Sequence, residues 1–201
     1  MKEIYFIRHG ETDYNKRHII QGSGIDSSLN EKGKAQGRAF YDYYKLVNFE
    51  VVFHSALQRT RQTVADFIGE KIPTEEWKQL NEIGWGDSEG KKSTPSDIKF
   101  YSDMINEWAV GNLDASMKNG ESARQLIDRL TEFVEHLKTR PETRILVCTH
   151  GRSMRCLMTI LKGEHPREME KYKHANTGLF KATFDGETFD VVLENDTRHL
   201  E

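Results

Sequence analysis

Short, nearly unbroken apolar runs alternate with amphipathic stretches along this chain. Ile4-Tyr5-Phe6-Ile7 stops at Arg8-His9-Gly10, Val51-Val52-Phe53 stops at His54-Ser55, and Ile145-Leu146-Val147-Cys148 stops at Thr149-His150-Gly151. Apolar runs without alternation predict strands covered on both faces, as in a parallel sheet. Between them, apolar spacings of three and four predict helices over about 31–46, 122–138 and 152–162. Asn30 stands as the N-cap of the first, whose inward face is read as Ala35, Ala39, Phe40 and Tyr43. Ser55 and Gln58 have capping-box spacing and open a helix that Gly69 ends. Ser122 and Gln125 repeat that spacing ahead of the stripe Leu126, Leu130, Phe133, Val134 and Leu137.

Other segments are less periodic. The stretch 70–95 reads as an irregular loop, and Pro95 opens a short helix over about 96–110. Asp185-Gly186 marks the turn of a closing hairpin, with strands near 178–184 and 188–194. Strands alternating with helices predict the α/β class. The 201 residues suit one domain, 1–201, with a loop and short-helix cap over about 84–120.

Composition narrows the partners. The formal net charge is −3, and charged residues, 30% of the chain, are interspersed rather than blocked. No global attraction to nucleic acid or to an anionic membrane follows, so any anionic ligand must be drawn by a local cluster. The two cysteines, Cys148 and Cys156, lie in apolar surroundings and read as small buried thiols. His136, His165, His174 and His199 share no metal-ligand spacing, and no metal site is expected. Trp77, Trp85 and Trp108 read as packing residues. With the first strand at the very start and no apolar run near the length of a membrane span, the expectation is a cytoplasmic protein.

The chemistry lies where strands end. Two parallel strands each deliver a His-Gly pair to the edge at which open α/β sheets bind ligands. One histidine after a strand is ordinarily a core residue; two, joined by arginines, make a site for a phosphoryl group. His9 can attack through one ring nitrogen if the other donates its proton to a fixed acceptor. Arg8 and Arg59 supply fork-shaped donors, and Arg59 falls in the first turn after Ser55. His150 can stabilise phosphoryl oxygens if it donates. Glu82, near Trp85, is the candidate proton donor, because a carboxyl beside an apolar ring has its pKa raised. Glu11, Asp87 and Glu89 are alternatives on composition.

Arg8-His9-Gly10-Glu11-Thr12 with Asn15, Ser55 to Arg59 with Gln62-Thr63, and Leu80-Asn81-Glu82 with Glu89-Gly90 resemble, in order, motifs of the histidine phosphatase superfamily. Gly120-Glu121-Ser122, Thr149-His150-Gly151 and Asn176-Thr177-Gly178 complete the series across nearly the whole chain. The resemblance implies a three-layer α/β/α sandwich with a mostly parallel central sheet, phosphoglycerate-mutase-like. It implies that His9 is transiently phosphorylated, that Arg8, Arg59 and His150 clamp the transferring group, and that Glu82 serves as acid and then base. Asn15 would add a phosphate contact, Gln21-Gly22 would lie beside the substrate, and Gly151 would let backbone approach it. No metal and no cofactor are implied. Ser88 departs from the pattern, which often has an aromatic residue there. Lys16, Arg17 and His18 could meet a substrate's far end.

Three functions are consistent with these residues. The favoured one is a metal-independent phosphomonoesterase acting on a small phosphorylated metabolite, such as a sugar phosphate or ribazole phosphate. A cofactor-dependent phosphoglycerate mutase is the alternative; mutases in this family carry a longer, more basic insert after the acid than the stretch between Gly90 and Gly120. A non-catalytic phospho-ligand or partner-binding protein is the third, disfavoured because every catalytic position carries its functional residue.

Overall fold

The computed structural model describes residues 1–92 and 94–201. Its centre is one six-stranded sheet in the order β3-β2-β4-β1-β5-β6. The strands are β1 Lys2–Arg8, β2 Val51–His54, β3 Thr74–Glu76, β4 Arg144–Thr149, β5 Leu179–Phe184 and β6 Phe189–Asp196. β1, β2, β3 and β4 pair in parallel, while β5 and β6 close one side antiparallel. The fold is therefore α/β with a mostly parallel sheet.

The period-two geometry of the strands splits the core into two. Ile4, Phe6, Val51, Phe53, Ile145 and Val147 face one way, packing with α6 (Ala123–Thr139) and α7 (Gly151–Leu161). Tyr5, Ile7, Val52, Leu146 and Cys148 face the other, against α2 (Glu31–Tyr44) and α4 (Ala65–Gly69). The remaining helices are α1 (Asp13–Lys16), α3 (Gln58–Thr63) and α5 (Pro95–Ala109).

Sequence signals for helix ends map closely onto the structure. Asn30 accepts from the Gly33 N–H, and Ser122 with Gln125 forms a full capping box. Thr94 and Asp97 form another, with Pro95 in the first turn of α5. The α6 stripe is buried as expected, with Ala123 added. Asp185 accepts from the N–H groups of Glu187 and Thr188 at the hairpin turn.

Four readings need correction. The inward face of α2 is Gly33, Gly37, Phe40 and Tyr44, whereas Tyr43 is exposed and Ala35 faces solvent. The two glycines set that face by letting backbone approach: a Cβ on Gly33 would lie 2.1 Å from the Glu11 carbonyl oxygen, and one on Gly37 2.7 Å from that of Thr63. Ser55 does not cap the following helix; α3 starts at Gln58 behind Leu57, with no side-chain cap. That helix is interrupted at Val64, so Arg59 lies in a separate first segment. The stretch 70–95 holds the edge strand β3 and two 3-10 turns, Lys78–Leu80 and Gly86–Ser88. Thr-Glu-Glu has no apolar signature because an edge strand has little to bury.

The 84–120 segment carries α5 and packs Trp85, Met104, Trp108, Leu113 and Met117 into the same core as α6 and α7; residue 93 of that segment lies outside the described residues. Trp85 and Trp108 stack with centroids 6.4 Å apart, and Trp77 lies on His136, so the tryptophans pack as expected. Cys148 and Cys156 are free and buried, and burial pushes both thiols upward in pKa. Among the described residues, no helix is long and apolar enough to cross a membrane.

The close approach at α2 is testable. Gly33→Ala forces backbone apart and is expected to cost about 1–3 kcal/mol. Gly69→Ala, where an added Cβ meets nothing within 4 Å, should be neutral or stabilise by up to about 1 kcal/mol. Urea unfolding of both variants beside the parent checks the contrast.

Candidate active site

β1 and β4 are adjacent and parallel, and their register pairs Arg8 with Thr149. Each is followed by its histidine, so His9 and His150 emerge side by side, with ring centroids 5.1 Å apart. The His9 backbone is pinned at both ends: its N–H donates to the Thr149 carbonyl (3.0 Å), and its carbonyl accepts from Asn176 Nδ2 (2.9 Å). The Thr177 N–H donates to the Arg8 carbonyl (3.0 Å). The Asn176-Thr177-Gly178 motif thus holds the end of β1.

The His9 ring sits with Nδ1 2.7 Å from the Gly10 carbonyl. A carbonyl can only accept, so Nδ1 carries the proton and Nε2 keeps its lone pair. Burial first, then the charges of Arg59 and Arg8, hold the His9 pKa well below that of a free imidazole. The neutral, nucleophilic form is therefore the resting one.

His150 is held by a chain that spacing alone did not reveal. Arg59 Nε donates to His150 Nδ1 (3.2 Å), and Nε2 lies 2.8 Å from Ser55 Oγ. Thr60 Oγ1 donates to the Leu57 carbonyl, so Ser55 Oγ donates to Thr60 while accepting from the Leu57 N–H and from His150. Ser55 thereby fixes one tautomer of His150. Burial, then Arg59 and His9, push its pKa well down. In this arrangement both His150 nitrogens are engaged, Nδ1 by Arg59 and Nε2 by Ser55, and the ring orients Arg59.

Main-chain carbonyls hold Arg59. Arg59 is fully buried and donates from Nη1 to Ile25 (2.7 Å) and from Nη2 to Gly22 (3.2 Å). Arg8 Nε is buried with no partner. Burial lowers both guanidinium pKa values to about 10, which leaves both charged at neutral pH. Arg61, by contrast, is exposed.

Glu82 sits on the N-terminus of α7. Its Oε2 accepts from the Arg152 N–H (3.1 Å), and its Oε1 from the N–H groups of Ser153 (3.1 Å) and Ile83 (3.0 Å). The surroundings of Glu82 are thus peptide donors and not the Trp85 indole, which stacks on Trp108. The acid-bearing loop is tied down from outside by Arg129, which donates to the carbonyls of Gln79, Asn81 and Glu82 and pairs with Glu121. Glu121 also accepts from the Gly84 N–H (3.1 Å).

The remaining expected residues line the loop after β1. Asn15 Oδ1 accepts from Thr12 N–H and Asn176 Nδ2, so its amide Nδ2 is the group left for a ligand. Gln21 accepts from Thr12 and Ser27. A Cβ on Gly22 would lie 2.2 Å from Glu89 Oε1, which also accepts from the Trp85 N–H. Among the other candidate acids, Glu11 bonds Asn30 and Lys32, and Asp87 bonds Asn119. His54 is buried against the Ser55 carbonyl, and His18 is exposed. Gly151 admits a side chain rather than backbone: a Cβ there would lie 2.7 Å from the His174 ring. Sequence reading did not place His174, Arg152, Arg155 or Ser55 at the site. Among the described residues, no group of three His, Cys, Asp or Glu could hold a metal ion.

The model of the histidine phosphatase superfamily (branch 1) matches residues 4–197. "Uncharacterized phosphatase PhoE" of Bacillus subtilis is 29% identical over 203 residues, spanning 100% of this chain and 97% of that protein. A 2,3-bisphosphoglycerate-dependent phosphoglycerate mutase of Brucella melitensis is 28% identical over 188 residues, 89% of each chain. In fold, a phosphoserine phosphatase from Entamoeba histolytica, solved with 3-phosphoglyceric acid, superimposes with a TM-score of 0.84 at 23% identity, covering 100% of both chains.

Imidazoles kept neutral by burial give stability a pH dependence. Burial, followed by the charges of Arg8, Arg155 and Arg152, pushes His174 down to about 3. Between about 6.5 and 3 the unfolded chain binds a proton there that the folded chain refuses, so stability is present above that window and falls as pH falls through it. His9 and His150 act with the same sign. His174→Gln should reduce proton uptake on unfolding near pH 4.5 by about one, measured as a flatter dependence of the urea midpoint on pH.

Proposed function

The chain belongs to branch 1 of the histidine phosphatase superfamily, and from that premise we propose that it is a metal-independent phosphomonoesterase working through phosphohistidine. The observation that carries this reading is that His9 keeps its Nε2 lone pair while Arg8, whose charge acts on His9, holds a buried donor without a partner. A buried donor without an acceptor is costly unless a ligand supplies one. An anion whose central atom His9 can attack does so.

In the first step His9 Nε2 attacks phosphorus in line, the P–O ester bond breaks, and Glu82 gives its proton to the leaving oxygen. Arg8 and Arg59 neutralise charge on the equatorial oxygens, and Asn15 Nδ2 can add a donor. The second step reverses the proton's path. Glu82 takes a proton from water, the new oxygen bonds phosphorus, and the P–N bond breaks to release phosphate and free His9. His150 and Ser55 act at one remove by fixing Arg59.

The substrate is proposed to be a small phosphorylated metabolite, and the protein a cytoplasmic enzyme. Ile20, Gln21, Trp85, Asp97, Ile98 and Tyr101 line a cavity of about 310 Å³ beside the loop after β1, room for a small ester's organic part. A mutase must shield phosphohistidine from water; the preference for hydrolysis rests on the short stretch between Gly90 and Gly120, which bears few cations.

Phosphate release from p-nitrophenyl phosphate and a panel of monoesters, with EDTA present, tests the reading. Turnover in the parent that His9→Ala abolishes supports it; undiminished turnover in His9→Ala removes His9 as nucleophile. Glu82→Gln should slow esters with alkyl leaving groups at least 100-fold more than p-nitrophenyl phosphate, because only the former need a proton in the first step. An equal loss across the series would remove the general-acid role.

A further inference from the structure

α7 begins without a cap of its own. His150 at its N-cap makes no side-chain bond to the helix, and the N–H groups of Arg152 and Ser153 go to the two oxygens of Glu82. Helix-start N–H groups need such partners. Ser153 Oγ adds a bond to the Asn81 carbonyl (2.7 Å), which ties the turn to the same acid-bearing loop. The steps above move a proton on and off Glu82, so the group that seats the turn changes its charge within each cycle. A hydrogen bond to a charged acceptor is stronger than one to a neutral acceptor. A turn fastened by the acid-bearing loop alone would therefore be held less firmly when the acid is protonated.

The Arg152 side chain supplies a fastening from outside. It is buried, pairs with Glu170 of the 3-10 turn Pro166–Lys171, and donates from Nη2 to the Tyr101 hydroxyl of α5 (2.5 Å). It lies over the Trp85 and Trp108 rings at 5.8 and 5.4 Å. Three segments thus grip one guanidinium: the 3-10 turn, α5 and the stretch just after Glu82. The charges here are spent inside the protein, since Arg152 and Arg155 share Glu170 and Arg155 also feels the Glu82 carboxyl. An apolar side chain of like size would fill the space between the indoles at a lower desolvation cost. It would lack direction, whereas a planar fork fixes the helix turn relative to each partner.

We propose that Arg152 is a positioning residue for proton transfer: its side chain holds the first turn of α7 against α5 and keeps the peptide donors in register with Glu82 throughout the cycle. The inference rests on the phosphatase reading and deepens it. Arg152 touches no reacting atom through its side chain; it acts through the N–H groups of residues 152 and 153. Arg59 is held by Gly22 and Ile25, outside this grip, so the role is confined to steps that use Glu82. Two residues of the grip, Trp85 and Tyr101, also line the cavity assigned to the substrate's organic part. The placement of the acid is thereby tied to the wall that the substrate meets.

Leaving groups separate this role from a merely structural one. Arg152→Met keeps bulk between the rings and loses the fork. Its kcat/KM for glycerol 3-phosphate, an alkyl ester, should fall about tenfold or more, because loss of the alcohol needs a proton. Its kcat/KM for p-nitrophenyl phosphate and its inhibition by vanadate should change by less than about twofold, because neither needs that proton. Tyr101→Phe, which removes a single oxygen from the grip and guards against a folding failure in the first variant, should show the same selectivity at about threefold. Amide hydrogen exchange reads the fastening without turnover: protection at residues 152 and 153 should fall about tenfold or more in Arg152→Met while α6 keeps its own. An equal loss for both esters, an alkyl-ester rate unchanged in both variants, or unchanged protection at residues 152 and 153 overturns the role and leaves the phosphatase reading intact. A parent that hydrolyses no ester overturns that reading instead, and exchange then decides whether Arg152 fastens the turn.

Discussion

Everything in this molecule is arranged around the cost of keeping positive charge out of water. Arg59 is wholly buried and Arg8 carries a buried donor with nothing to bind, at the end of a sheet whose strands are themselves covered. Such charges persist only when oriented dipoles surround them. Gly22 and Ile25 turn carbonyls towards Arg59, and the Asn176-Thr177 turn fixes the peptide that follows Arg8. The two histidines share this interior, and burial first, then the neighbouring arginine charges, hold both neutral. The burial that shelters the arginines thus also keeps the free lone pair on His9 Nε2.

A second tier of residues holds the first. Arg129 gathers three carbonyls of the acid-bearing loop and anchors to Glu121. Glu89 reaches back to the Gly22 region, where burial raises its pKa, and joins the acid-bearing loop to the loop that cradles Arg59. Small displacements of Glu82 or Arg59 are resisted by backbone hydrogen bonds on several elements, which is how a site gains positional precision.

Much of the site was legible because its chemistry sits at strand ends, where an apolar run stops at a polar residue. Arg8-His9-Gly10 and Thr149-His150-Gly151 announce themselves in this way. Ser55 misled, since its capping-box spacing is genuine while its hydroxyl is claimed by His150 and Thr60 from distant or following chain. Local pattern carries no record of a partner 95 residues away. Tyr43 and Tyr44 stand three and four residues after Phe40, so helical spacing admits either to the inward face, and the close approach of Gly33 and Gly37 decides which turns inward. His174 and Arg155 lack any local signal, because their meaning lies in a helix and a loop converging on Gly151. The environment of Glu82 was misjudged for a similar reason: Trp85 is near in sequence, but the peptide groups of α7 reach the carboxylate first.

The pairing of β1 with β4 has an implication for how the molecule can change over generations. The separation of the two histidine rings is inherited from the spacing of adjacent strands, a dimension that peptide hydrogen bonds set and no single side chain adjusts. The 84–120 segment is held differently, by packing Trp85, Met104, Trp108, Leu113 and Met117 into the core shared with α6 and α7. Its outward positions, such as Ile98 and Phe100, are exposed and can be exchanged without moving a strand. Drift is accordingly freer over the outer face of this segment than at the sheet edge.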